Sequence, residues 1–107
     1  MNKVMNNWSQ ADIEIFLQNK ETGLVYFYTP ICGTCKMAGK MVEVVAKLFP
    51  SLTMGKADLN YLPEMAEQFE VKSVPCLLIV QNGKVIDKIF AFHSVPYLHD
   101  KIKSHLL

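Results

Sequence analysis

Cysteine is scarce in this chain of 107 residues: there are three. A small secreted domain stapled by disulfides usually carries more, in even number, which argues against a cross-linked extracellular scaffold. Basic clusters and acidic tails are missing. Charged residues make up 20% of the chain and the formal net charge is +1. That balance gives no reason to expect nucleic acid or an anionic membrane as partner. No stretch approaches the roughly 18 consecutive apolar residues of a membrane-spanning helix. The opening MNKVMNNWSQADIEIF has neither the apolar core nor the small-residue cleavage site of a secretory leader, so the expected location is the cytoplasm. Repeats, low-complexity tracts and linkers are also missing. One domain over residues 1–107 is expected.

Hydrophobic residues are plentiful, at 50% of the chain, enough for one well-filled core at this length. The first few residues fit a short strand or a loose end. Ser9 with Asp12 three residues later is a capping signal, and Ile13, Phe16 and Leu17 give an apolar face, which predicts a helix from Ser9 to Lys20. LVYFY, Leu24 to Tyr28, reads as a buried strand. A long helix is predicted from Cys32 to about Phe49. Its apolar stripe is read as Met37, Met41, Val44, Val45 and Leu48, with Gly39 marking a bend or a close contact and Pro50 the stop. LTMGKADL, Leu52 to Leu59, is a second strand. A helix follows from about Leu62 to Phe69, with Pro63 in its first turn. VPCLLIV, Val74 to Val80, and VIDKIFAF, Val85 to Phe92, flank Asn82-Gly83, a hairpin signal. Ser94 and Pro96 open a last helix with Leu98, Ile102 and Leu106 inward. Helices between the early strands imply parallel pairing and the hairpin implies antiparallel pairing. The fold class is α/β, a mixed sheet with helices on both faces.

Two of the three cysteines sit in TPICGTCKMAGK, Thr29 to Lys40. Cys32 and Cys35 are separated by Gly33 and Thr34 at the predicted start of the long helix. A metal clip, a structural disulfide and a redox-active pair all fit that spacing. At the helix edge, unpaired N–H groups and the positive end of the dipole favour the Cys32 thiolate. Cys35, a turn further in, is expected to be more buried. Residues three apart on a helix are neighbours, so a bond between the two sulfurs is possible. A ring that small gains little loop entropy, which suits a reversible bond better than a staple. A closed zinc site needs two more ligands. Cys76 and one of His93, His99 or His105 are the candidates, but no second Cys-x-x-Cys and no His-x-x-x-His is present.

LVYFYTPICGTCKM and VKSVPCLLIVQNGKV together resemble the active-site segment and the later cis-proline segment of the thioredoxin family. The resemblance covers nearly the whole chain and is strongest from Leu24 to Val85. It implies the thioredoxin fold, with Cys32 as nucleophile and Cys35 as resolving thiol. It implies that Pro75 is a cis-proline beside the pair, shaping the backbone for a substrate strand. It matches Lys56 to a lysine near the buried cysteine. Gly33 and Thr34 form the active-site turn. Several residues depart from the family pattern. Ile31 replaces a tryptophan, Thr34 a proline with an added hydroxyl, and Lys40 a helix-kinking proline. Tyr26 replaces a buried aspartate thought to deprotonate the resolving cysteine. A tyrosine is neutral at pH 7, so that proton is left to water, Lys56 or the substrate. Cys76 stands where threonine is usual. It reads either as a packed small residue or as a regulatory thiol, a metal ligand or a site for a small-thiol adduct.

The function implied is a cytosolic thiol–disulfide oxidoreductase that reduces protein disulfides through a Cys32/Cys35 cycle. No bound cofactor or metal is expected. Electrons would come from a separate flavin- and NADPH-dependent reductase, and the protein would act as a monomer. Three rivals stand beside it: a reductase of mixed disulfides with low-molecular-weight thiols, a metal or iron–sulfur module using Cys32, Cys35 and Cys76, and a binding scaffold that no longer turns over. The methionines read as core filling, Trp8 as packing on the first helix, and His99 and His105 as solvated. His93, just before the last helix, is within possible reach of the active face.

Overall fold

A computed structural model describes residues 5–106. Of the opening segment, residues 1–4 lie outside the described part, and Asn6–Asn7 form a two-residue strand, β1. Helix α1 (Gln10–Gln18) begins with the reciprocal cap foreseen from Ser9 and Asp12: the Ser9 hydroxyl accepts from the Asp12 amide and the Asp12 carboxylate accepts from the Ser9 amide. Trp8 packs on this helix, its ring centroid 5.1 Å from that of Phe16. Strand β2 (Gly23–Tyr28) is followed by helix α2 (Gly33–Leu48). Then come strand β3 (Thr53–Asp58), a 3₁₀ turn at Leu59–Tyr61 and helix α3 (Pro63–Gln68). The chain ends with strands β4 (Cys76–Gln81) and β5 (Lys84–Ile89) and helix α4 (Val95–Leu106).

The strands form one sheet in the order β1-β3-β2-β4-β5. The β1–β3 and β3–β2 pairs are parallel, and the β2–β4 and β4–β5 pairs are antiparallel. The hairpin turns at Asn82 and Gly83, both at positive φ, as a tight two-residue loop requires.

Side chains alternate across the sheet, which divides the core into two layers. Leu24, Tyr26, Leu77 and Ile79 face α2 and α4, packing against Val42, Val45, Leu98 and Ile102. Val25, Phe27, Cys76 and Leu78 face the other way, toward Ile13 and Phe16 of α1 and Met65 of α3.

The buried face of α2 differs from the sequence expectation. Met37, Val44 and Leu48 are exposed, and the residues turned inward are Cys35, Ala38, Val42, Val45 and Ala46. Both sets have helical spacing. Of the expected stripe, Val45 is buried and Met41 packs partly against the core; Ala38 and Ala46 beside them let α2 lie close on the sheet. His105 also departs from expectation. Its Nε2 lies 2.9 Å from a carboxylate oxygen of Asp87, tying α4 to β5, so it is half-buried and paired. His99 stacks on Phe49, centroids 5.1 Å apart. The return strand stops at Ile89, short of Phe92.

Candidate active site

The site forms where β2 ends and α2 begins. β2 is held in the middle of the sheet by β3 and β4, so its C-terminal end is fixed from both sides. The chain turns through Thr29, Pro30 and Ile31, with the Cys32 amide donating to the Thr29 carbonyl at 3.2 Å. Ile31 is 95% exposed. Cys32 is the N-cap of α2, in an extended conformation. An N-cap residue faces amides that have no partner inside the helix. Here its sulfur fills the role a serine or aspartate oxygen usually fills. The Cys35 amide donates to Cys32 Sγ at 3.2 Å. The Thr34 hydroxyl oxygen lies 3.4 Å from the same sulfur. Both donors, with the helix dipole, stabilise negative charge on Cys32.

Cys32 and Cys35 are joined by a disulfide, their Cα atoms 5.2 Å apart. Cys32 is half-buried and Cys35 is buried. The Val74–Pro75 peptide bond is cis, and the Val74 carbonyl oxygen lies 3.9 Å from Cys32 Sγ. β4 starts directly after this bond, antiparallel to β2, with Cys76 opposite Phe27. The loop carrying Pro75 is therefore held against the cysteine pair.

On the other side of Cys35 a cavity of about 470 Å³ opens between α2 and the β3 side of the sheet. Tyr26, Cys35, Lys36, Lys40, Glu43 and Lys56 line it. Tyr26 and Lys56 are register partners on neighbouring strands, so their side chains stand side by side on its floor. The Tyr26 hydroxyl donates to the Cys35 carbonyl at 2.6 Å. Its ring lies against Gly39, where an added Cβ would meet ring carbon Cε2 at 3.6 Å. That is ordinary van der Waals distance, so Gly39 marks neither a bend nor a clash-limited contact; it lies inside an unbroken helix. Burial, with Tyr28 nearby, pushes the Tyr26 phenol up to about 12. It is a donor at neutral pH and does not replace a carboxylate chemically.

Cys76 is fully buried in the layer beneath α1 and α3. Burial pushes its thiol up to about 12, with Lys88 a smaller opposing influence. Among the described residues no group of three or more His, Cys, Asp or Glu side chains is arranged to hold a metal ion, so the metal-module reading gains no support. His93 packs edge-on to Tyr97 with centroids 4.6 Å apart.

Cys32, Cys35, Gly33, Thr34 and Pro75 are brought together, and Tyr26 and Lys56 stand on the far side of Cys35. Lys36 and Lys40 as cavity walls were not foreseen. The signal was available: positions 35, 36, 39, 40 and 43 share one side of a helix, next to alternate positions 26 and 28 of the strand before it.

The chain matches the family model described as Thioredoxin over residues 4–104. It is 44% identical over 80 residues to the thioredoxin-like protein YusE of Bacillus subtilis, covering 75% of this chain and 76% of that one. A thioredoxin from Mycoplasmoides gallisepticum is 31% identical over 95 residues, 89% of this chain and 95% of its own. Among solved structures, thioredoxin from Trypanosoma brucei brucei superposes with a TM-score of 0.86 at 19% identity, over 99% of this chain and 94% of that one. Mitochondrial thioredoxin 3 from Saccharomyces cerevisiae, in oxidized form, gives 0.82 at 22% identity, over 94% of both chains. At those identities the likeness speaks to the fold.

Proposed function

The chain belongs to the thioredoxin family and is a thiol–disulfide oxidoreductase, and on that premise we propose that it reduces disulfides in partner proteins in the cytosol, acting as a single-domain monomer. The observation that carries this reading is the Cys32–Cys35 disulfide at the start of α2, with two donors aimed at Cys32 Sγ and the Val74–Pro75 loop beside it.

In the reduced protein the Cys32 thiolate attacks a sulfur of the partner's disulfide. One partner sulfur leaves as thiolate and the other stays bonded to Cys32. Cys35 then gives up its proton and attacks Cys32 Sγ. The Cys32–Cys35 bond forms, the bond to the partner breaks, and the second partner thiolate is released. Two electrons have passed to the partner. A separate flavin- and NADPH-dependent reductase returns the pair to the dithiol. Cys32 attacks because it is the accessible, electrostatically favoured sulfur. Cys35 resolves because it is buried within bonding range. The Val74 backbone, held beside Cys32 by the Pro75 turn, pairs with an extended substrate segment. Gly33 and Thr34 hold the turn between the sulfurs. Cys76 serves packing.

Trapping tests the assignment. The Cys35→Ser variant is expected to hold partners covalently through Cys32, and Cys32→Ser to hold none. Equal capture by both, or capture through Cys76, overturns it.

A further inference from the structure

The cavity beside Cys35 brings three cations together. Lys36, Lys40 and Lys56 line it, and among the described residues their ammonium groups take no part in a hydrogen bond or ion pair. Among the described residues the ion pairs are His99–Asp100, Lys101–Asp87 and His105–Asp87. Among the described residues the single carboxylate in the wall is Glu43. It lies about two turns further along α2 than Cys35, roughly 12 Å down the axis. Asp58, the next acid on β3, accepts from the Asn60 amide at 3.0 Å and lines a neighbouring cavity with Trp8 and Tyr61. A cleft with three positive groups and one negative group concentrates anions. Its volume of about 470 Å³ leaves ample room for a small one.

Resolution demands a proton acceptor at the same place. Only a thiolate attacks a disulfide, so Cys35 must lose its proton. The Tyr26 hydroxyl is committed to the Cys35 carbonyl as donor. Ammonium groups have donors and no acceptor. Among the described residues the walls of the cavity therefore offer Cys35 no base within hydrogen-bond reach.

We propose that the cavity lined by Lys36, Lys40 and Lys56 binds a small basic oxyanion, hydrogen phosphate or a carboxylate, which takes the Cys35 proton during resolution. Lys56, on the floor, and Lys36 and Lys40, at the rim, hold the anion by charge and hydrogen bonding. The proton passes from Cys35 Sγ to the oxyanion. The Cys35 electron pair forms the bond to Cys32 Sγ, and the partner thiolate leaves. The protonated anion exchanges with solvent. This rests on the reading of Cys35 as the resolving thiol.

Single-turnover kinetics separate the two steps. Mixed-disulfide formation is followed in Cys35→Ser, and resolution in the unmodified protein. Inorganic phosphate or acetate is titrated at fixed pH and ionic strength against a zwitterionic buffer. Resolution is expected to rise saturably by roughly tenfold, with the first step unchanged. Sulfate, which binds but is a very weak base, is expected to compete. The Lys40→Gln/Lys56→Gln double variant, followed also by amide chemical shifts on phosphate titration, is expected to need several times more phosphate for the same effect, roughly fivefold. Resolution indifferent to both anions, or a linear rise equal in wild type and double variant, overturns the proposal. Failure of Cys32 to form any mixed disulfide overturns instead the reading it rests on.

Discussion

Replacing Tyr26 with Phe gives a prediction whose sign reverses with pH. At neutral pH the variant loses a buried hydrogen bond, the 2.6 Å contact from the Tyr26 hydroxyl to the Cys35 carbonyl. That carbonyl lies in the first turn of α2 and keeps its helical acceptor role, so no buried group is orphaned. The loss is therefore about 1 kcal/mol, a fall in Tm of roughly 4–5 °C. At high pH the comparison inverts. The folded phenol is raised from 10.0 to about 12, so the stability it contributes is complete below pH 10 and drains away as pH rises toward 12. At a pH of about 11 the wild type has lost about 1.4 kcal/mol on this account. Phe has nothing to ionise and loses none. The two stability curves should cross a little below a pH of about 11. Urea unfolding of both proteins in oxidised form, across a pH series, measures the difference and cancels the titrating groups that do not couple to Tyr26, leaving its neighbour Tyr28 as the one to account for. A gap that stays constant to high pH would refute the reasoning, since Tyr26 would then ionise as freely folded as unfolded. A variant more stable at pH 7 would refute it too.

Two further perturbations test the packing around the site. Cys76 should resist alkylation in the folded protein and react no faster than the chain unfolds. Its thiol is raised from 9.0 to about 12 by burial, so the stability this carries is intact below pH 9 and lost on approach to 12. Cys76→Ser should cost about 1–3 kcal/mol by burying an unpaired hydroxyl, more than Cys76→Ala; rapid native-state labelling would contradict this. A Cβ at Gly55 would run into the Trp8 indole, so Gly55→Ala should cost about 1–3 kcal/mol and red-shift Trp8 fluorescence as the ring is pushed outward. An unchanged spectrum and Tm would contradict it.

Strong local signals in the sequence had strong structural outcomes. The Ser9–Asp12 cap, the Asn82-Gly83 turn and the apolar run at Leu24–Tyr28 each depend on neighbours in sequence, and each is present. The placement of Cys32 at the edge of α2 was equally legible, because a helix start is a local event. The buried face of α2 was not. Hydrophobicity favoured Met37, Val44 and Leu48, whereas the face that packs is set by how near the helix approaches the sheet, a tertiary quantity. The His105–Asp87 pair joins residues far apart in sequence, and nothing local announces it. The lysines around Cys35 were visible singly. Their convergence depends on the gap that α2 leaves over β3, which only the assembled sheet defines.

The alternation of side chains across β2 and β4 settles what becomes of an odd sulfur. Cys35 lies on α2 over one face of the sheet, and Cys76, a residue of β4, turns its side chain to the other face, beneath α1 and α3. The sheet is then a partition: exchange proceeds in one compartment, and the spare thiol is sealed in the other. A chain with three thiols can cycle one pair without scrambling, while the third stays out of reach until the wall itself comes down.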